Sequence, residues 1–76
     1  MGDVKMVKVT AVKVDGLKFR AVGGYYQPRG WGLRDEDGNF FAIKDDNHPY
    51  TVSSKTLANE LAADGLNPGY KTAKPM

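Results

Sequence analysis

Seventy-six residues, 41% of them hydrophobic and 26% charged, suit one small globular domain and exclude both a multidomain enzyme and a disordered chain. A chain this short buries only roughly 60% of its unfolded surface, so every core residue weighs heavily. With no cysteine and a net charge of only +2, a disulfide framework and a thiolate metal site are excluded, and attraction to nucleic acid must come from how charge is distributed.

Met1-Gly2-Asp3 leads into a strand pattern without a signal-peptide core. Gly2 lacks the following Ser or Thr that myristoylation requires, because Met6 stands there. No apolar run approaches the ~20 residues of a membrane-spanning helix. A soluble protein of the reducing cytoplasm is expected.

The first element is a strand. Val4 to Val14, VKMVKVTAVKV, is β-branched and alternates with period two. Val7 and Val9 fall on one face and Val12 and Val14 on the other, which predicts a β-bulge near Thr10-Ala11. Asp15-Gly16 predicts a tight hairpin turn, setting Val14 against Leu17 and Val12 against Phe19. The opposite face would then carry Lys8, Lys13, Lys18 and Arg20, with Lys13 directly across from Lys18.

Gly23 to Gly30 reads as an exposed loop with Tyr25, Tyr26 and Arg29, in which Pro28 ends any regular pattern. A second hairpin follows, Trp31–Arg34 and Phe40–Lys44. A three-residue turn with Gly38 left-handed gathers Trp31, Leu33, Phe41 and Ile43 on one apolar face, with Arg34 and Phe40 on the outer one. Tyr50-Thr51-Val52 is a further short strand. Ser53 or Ser54 caps a helix over about Lys55–Asp64, whose stripe is Leu57, Ala58, Leu61 and Ala62. Gly65 stops it, with Leu66 folding back on Leu61 in a Schellman arrangement.

The resulting fold class is α+β. About four or five strands form a small, strongly bent antiparallel sheet, SH3-like or OB-like, with one short C-terminal helix. Residues 1–68 form the compact domain and 69–76 a flexible basic tail.

Nothing in the chain supplies catalytic chemistry. His48 is the only histidine, and with Asp45 and Asp46 it makes a poor metal site on a turn. Asp35-Glu36-Asp37-Gly38 has its glycine too early for a calcium loop. No phosphate-binding glycine loop is present, because no helix begins after Gly23-Gly24 or Gly30-Trp31-Gly32. Neither enzymatic activity nor a cofactor or metal is expected.

What remains is binding. Bases stack on flat rings while basic neighbours hold the phosphates. That combination nominates Lys8, Lys13, Lys18, Arg20, Arg29 and Arg34 for phosphates, and Tyr25, Tyr26 and Phe40 for stacking, on single-stranded DNA or RNA. The strand Arg29-Gly30-Trp31-Gly32-Leu33 and its following Asp-Gly turn resemble the basic-Gly-aromatic-Gly strand of cold-shock OB folds, which implies the same ligand class. The chain departs from that pattern in its preceding loop, in Arg34 and in the helix. Tyr and Arg are equally typical anchors of protein interfaces. The competing expectation is therefore a protein-binding module, a small regulator or inhibitor of a larger complex, using the same loop, the acidic turn Asp35–Asp37 or an open strand edge.

Overall fold

The structure, a computed structural model, describes residues 5–76, so the expected strand start at Val4 lies outside the described residues. Strands β1 (Val9–Lys13), β4 (Trp31–Asp35), β5 (Phe40–Ala42) and β6 (Lys71–Ala73) form an antiparallel sheet in the order β1-β4-β5-β6. Strands β2 (Phe19–Ala21) and β3 (Gly24–Tyr26) form a separate two-stranded ribbon, and helix α1 spans Lys55–Asp64. This is the expected α+β class with an antiparallel sheet, open rather than closed into a barrel. Among the described residues, no helix is long and apolar enough to cross a membrane.

The main sheet is covered on both faces, which accounts for the changing phase of β1. Its pairing with β4 runs without a bulge from Val9↔Asp35 to Lys13↔Trp31. Val12 lies opposite Gly32 and packs toward the cluster of Val14, Phe19, Phe40, Ala42 and Ala73. By alternation, Val9 and Ala11 turn to the other face, beside Leu33 and under α1, which packs on β1 and β4. The expected bulge is therefore replaced by two-sided burial: one strand serves two cores.

The same arrangement corrects the place of Phe40. It pairs with Arg34 as the three-residue turn requires, but it is buried at 1% exposure, its ring edge-on to Phe19 with centroids 5.5 Å apart. The face expected to be outward is roofed by the ribbon. Gly32 makes room for this, since a Cβ there would stand 3.1 Å from both the Phe40 ring and Val14. Conversely Ile43, expected in the core, is 60% exposed. Strand β5 ends at Ala42, and Val52 takes the place opposite Trp31, with Trp31 N to Val52 O at 2.8 Å and the return bond at 2.9 Å.

The Asp15-Gly16 turn forms, with Leu17 N donating to Val14 O at 2.9 Å, but it does not make the expected hairpin. Only Gly16 has positive φ, at 87°, whereas a type I′ hairpin turn needs it at both central residues. Asp15 instead accepts from Gly30 N at 2.7 Å, and the chain passes from the sheet into the ribbon layer. Phe19 consequently pairs with Tyr26, not Val12, and Lys13 faces Trp31, not Lys18.

The helix has its expected limits. Ser54 caps it, its Oγ accepting from Leu57 N at 3.3 Å. Ala58 is its buried residue, while Leu57 at the edge of the stripe is 44% exposed. No Schellman closure follows, because Leu66 N donates to Val7 O at 3.0 Å and its carbonyl accepts from Val7 N at 2.8 Å. Residues after Gly69, expected as a basic tail, instead supply β6. Ala73 is fully buried opposite Phe40, and Pro75 bridges Phe19.

The turn after β4 has the expected geometry. Asp35 N donates to Asn39 O at 2.8 Å, Gly38 N to Asp35 O at 3.1 Å, and Gly38 has φ of 87°. Replacing Gly38 by Val forces a β-branched residue into the left-handed region at a cost of about 1–2 kcal/mol. Tyr25→Ala, at an exposed site, should cost less than ~1 kcal/mol. Thermal melts of the two variants compare them directly; equal midpoints would contradict the turn.

Candidate nucleic-acid interface

The ribbon gains a third chain segment from the C-terminus. Phe19 bridges both Tyr26 on one side and Pro75 on the other, and Met76 N donates to Lys18 O at 2.8 Å. That antiparallel register sets Lys18 beside Met76 and Arg20 beside Lys74. Arg20 also pairs with Tyr25 across the β2–β3 ladder. Phe19 points into the core, so its neighbours Lys18 and Arg20 point outward. Lys18, Arg20, Tyr25, Lys74 and Met76, all exposed, therefore share one surface.

Between Arg20 and Lys74 the backbones do not bond directly. The side chain of Asn47 is spliced in: its Nδ2 donates to Arg20 O at 2.8 Å and Lys74 O at 3.3 Å, and its Oδ1 accepts from Lys74 N at 2.8 Å. Asn47 takes φ of 60° to reach them, a conformation that asparagine tolerates better than most residues. It forms the floor of a shallow cleft of about 510 Å³ bounded by Arg20, Lys74, Pro75 and Met76. Asn47→Ala removes all three bonds and should cost about 2 kcal/mol, lowering the melting midpoint by roughly 8–16 °C in a domain of this size. Asn47→Asp, which keeps the acceptor and loses both donors, should recover little of that loss, and a chemical melt of the two variants measures it.

Tyr25 is 56% exposed, and the Lys18 ammonium sits 4.8 Å from its ring centroid. Tyr26 is different. It shares the inward face with Phe19, is half-buried, and lies against the His48 ring with centroids 4.2 Å apart. Tyr26 and Phe40 are thereby withdrawn from the stacking surface on which the sequence places them.

The remaining expected cations do not join this face. Lys8 and Arg34 line a separate cleft of about 420 Å³ together with Asp35 and Glu36, where the charge is mixed. Lys13 faces Trp31, whose ring lies under the Lys55 ammonium at 5.5 Å. Arg29 lies beside Asp15 and Gln27 in another depression. The structure thus brings together Lys18, Arg20 and Tyr25 from the expected set and adds Lys74 and Met76. Sequence reasoning missed the latter two, because a three-residue strand after Gly69 carries almost no alternation signal.

The acidic turn is only partly available to a partner. Asp35 is buried, its Oδ1 accepting from Asp37 N at 3.0 Å and Asn39 N at 2.9 Å, and its Oδ2 from the Tyr70 hydroxyl at 2.6 Å. Glu36 and Asp37 alone point to solvent. Asp45 is engaged by Lys71 at 3.1 Å on the surface. Asp46 shapes its own turn, accepting from His48 N at 3.2 Å. Among the described residues, no group of three or more His, Cys, Asp or Glu side chains is placed to hold a metal ion.

Comparison of the chain with protein-family models, with curated proteins and with solved structures finds no match.

Proposed function

We propose that the protein is a small non-enzymatic domain that binds single-stranded nucleic acid on the outward face of the β2–β3 ribbon. The observation that carries this reading is the convergence of Lys18, Arg20 and Lys74 around the exposed Tyr25 ring, beside a cleft that no acidic residue lines. Cations at strand spacing meet phosphates, and an exposed ring meets a base; the two together hold an unpaired strand better than either alone. A net charge of +2 adds little long-range attraction, so the local patch carries the binding and the affinity is salt-sensitive.

Fluorescence anisotropy of a labelled oligonucleotide at low ionic strength tests the reading. The wild type should bind, and Arg20→Gln with Lys74→Gln should weaken it at least tenfold while leaving the fold intact. A wild type that leaves both DNA and RNA strands free at low salt would sink the proposal.

One observation favours a protein partner instead. Val22, at the tip of the ribbon, is fully exposed at 107%, next to the outer edge of β3, and such an edge accepts a further strand from another chain. On that reading the domain is a small regulator or inhibitor of a larger complex. Val22→Asp should then abolish capture of the partner without changing affinity for an oligonucleotide.

A further inference from the structure

We propose, resting on the nucleic-acid reading above, that the ribbon takes a single strand in a short footprint of about three nucleotides, with one base stacked on Tyr25 and no base sequence read. The Lys18 ammonium already covers one face of the Tyr25 ring at 4.8 Å, so a base can reach only the other face. That ammonium also makes the ring a better partner, since a cation on one side and a base on the other exploit the same π-system.

No second platform exists on the ribbon. Phe19 is fully buried and Tyr26 is packed against His48. The ribbon's three chain segments, spaced at ~4.8 Å, span only about 10 Å, and Lys18, Arg20 and Lys74 are its available cations. One base and about three phosphates therefore exhaust the surface. A duplex would meet the same phosphate sites but leave Tyr25 idle, because its base faces are already stacked.

Sequence tolerance follows from the floor of the cleft. Reading a base edge needs a fixed donor–acceptor pair, and Asn47 supplies the one amide that lines the cleft. Both of its ends are taken, by the backbones of Arg20 and Lys74. The ring accepts any base, and nothing fixed beside it discriminates among them.

Titration of the isotopically labelled wild-type chain, followed by amide chemical shifts, tests this with 5′-phosphorylated oligothymidylates, which carry one phosphate per nucleotide, from two to about ten nucleotides. Affinity should level off near three nucleotides, with shift changes at Lys18, Arg20, Tyr25 and Lys74. A trinucleotide analogue with one base and two abasic sugars should bind within about threefold of the full trinucleotide, and a wholly abasic one at least fivefold more weakly. Three phosphate contacts predict a slope of log affinity against log salt of about −2, and Tyr25→Ala should weaken binding without altering that slope.

Affinity that climbs tenfold or more beyond three nucleotides would overturn the footprint and leave the nucleic-acid reading standing. Abasic or duplex ligands that bind as well as a base-bearing strand would overturn the single stacked base in the same way. Shifts induced by an acidic peptide but by no oligonucleotide would overturn both and assign the face to a protein partner.

Discussion

Asp35→Ala should be among the most damaging substitutions in the chain, costing about 3 kcal/mol and lowering the melting midpoint by roughly 12–24 °C. Asp35 is 8% exposed, and its carboxylate accepts three hydrogen bonds. Two of them close the β4–β5 turn, and the third ties that turn to Tyr70, 35 residues away. Alanine at this position leaves two backbone N–H groups and a phenol without their acceptor, and a partner stripped of its acceptor costs more than the bond alone contributes. Tyr70→Phe isolates the third bond and should cost about 1–2 kcal/mol.

The pair also gives a pH signature. Burial, and then the hydrogen bond to Asp35, push the Tyr70 hydroxyl up to about 12 from its ordinary 10.0, with the charges of Asp35 and Asp37 adding to the effect. The unfolded chain loses this proton at lower pH than the folded one. The contribution is therefore complete below pH 10 and is lost as pH rises from there through about 12. Denaturation of wild type and Tyr70→Phe across that window should show the difference between them shrinking with pH. A constant difference would contradict the bond.

How far the sequence could be read differs from element to element, for physical reasons. The helix and its cap are legible because Ser54 and the Leu57/Ala58/Leu61/Ala62 stripe follow one another at spacings of about one turn, and local signals suffice. The Glu36-Asp37-Gly38 turn was legible for the same reason, since Gly38 and the register of the flanking residues agree. The Asp15-Gly16 turn misled because its local signal competes with a bond to Gly30, which no local rule reveals. Strand β6 and its Lys74 were hidden because three residues are too few for alternation to register.

Alternation alone implies one buried face for the sheet, which sends Phe40 outward with Arg34. With the helix on one side and the ribbon on the other, both faces are interior over part of their length, and alternation no longer separates inside from outside. The surface proposed to bind nucleic acid accordingly lies on the ribbon that covers the sheet. Lys18, Arg20 and Tyr25 are exposed in the structure as the sequence expects, but on the ribbon rather than on the sheet.

That layered arrangement makes Phe40 the residue on which fold and site both depend, and Phe40→Ala should cost about 3–5 kcal/mol, whereas Ile43→Ala should cost less than ~1 kcal/mol. A sheet with one buried face, arranged as the alternation pattern alone suggests, predicts the reverse order. Phe40 fills the space between Gly32, Val14 and Phe19, and its loss leaves a cavity directly beneath the ribbon. Because Phe19 is the central bridge between Tyr26 and Pro75, loosening its ring contact loosens the register that sets Arg20 beside Lys74. Phe40→Leu, which restores most of the volume without the edge-on ring contact, should recover more than half of the stability. If the ribbon face binds nucleic acid, oligonucleotide affinity should recover with stability across the Phe40 series and remain unchanged in Ile43→Ala. Amide exchange then separates the layers: in Phe40→Ala, protection should fall first in β2 and β3 and last in β1 and β4, where the helix still covers the opposite face.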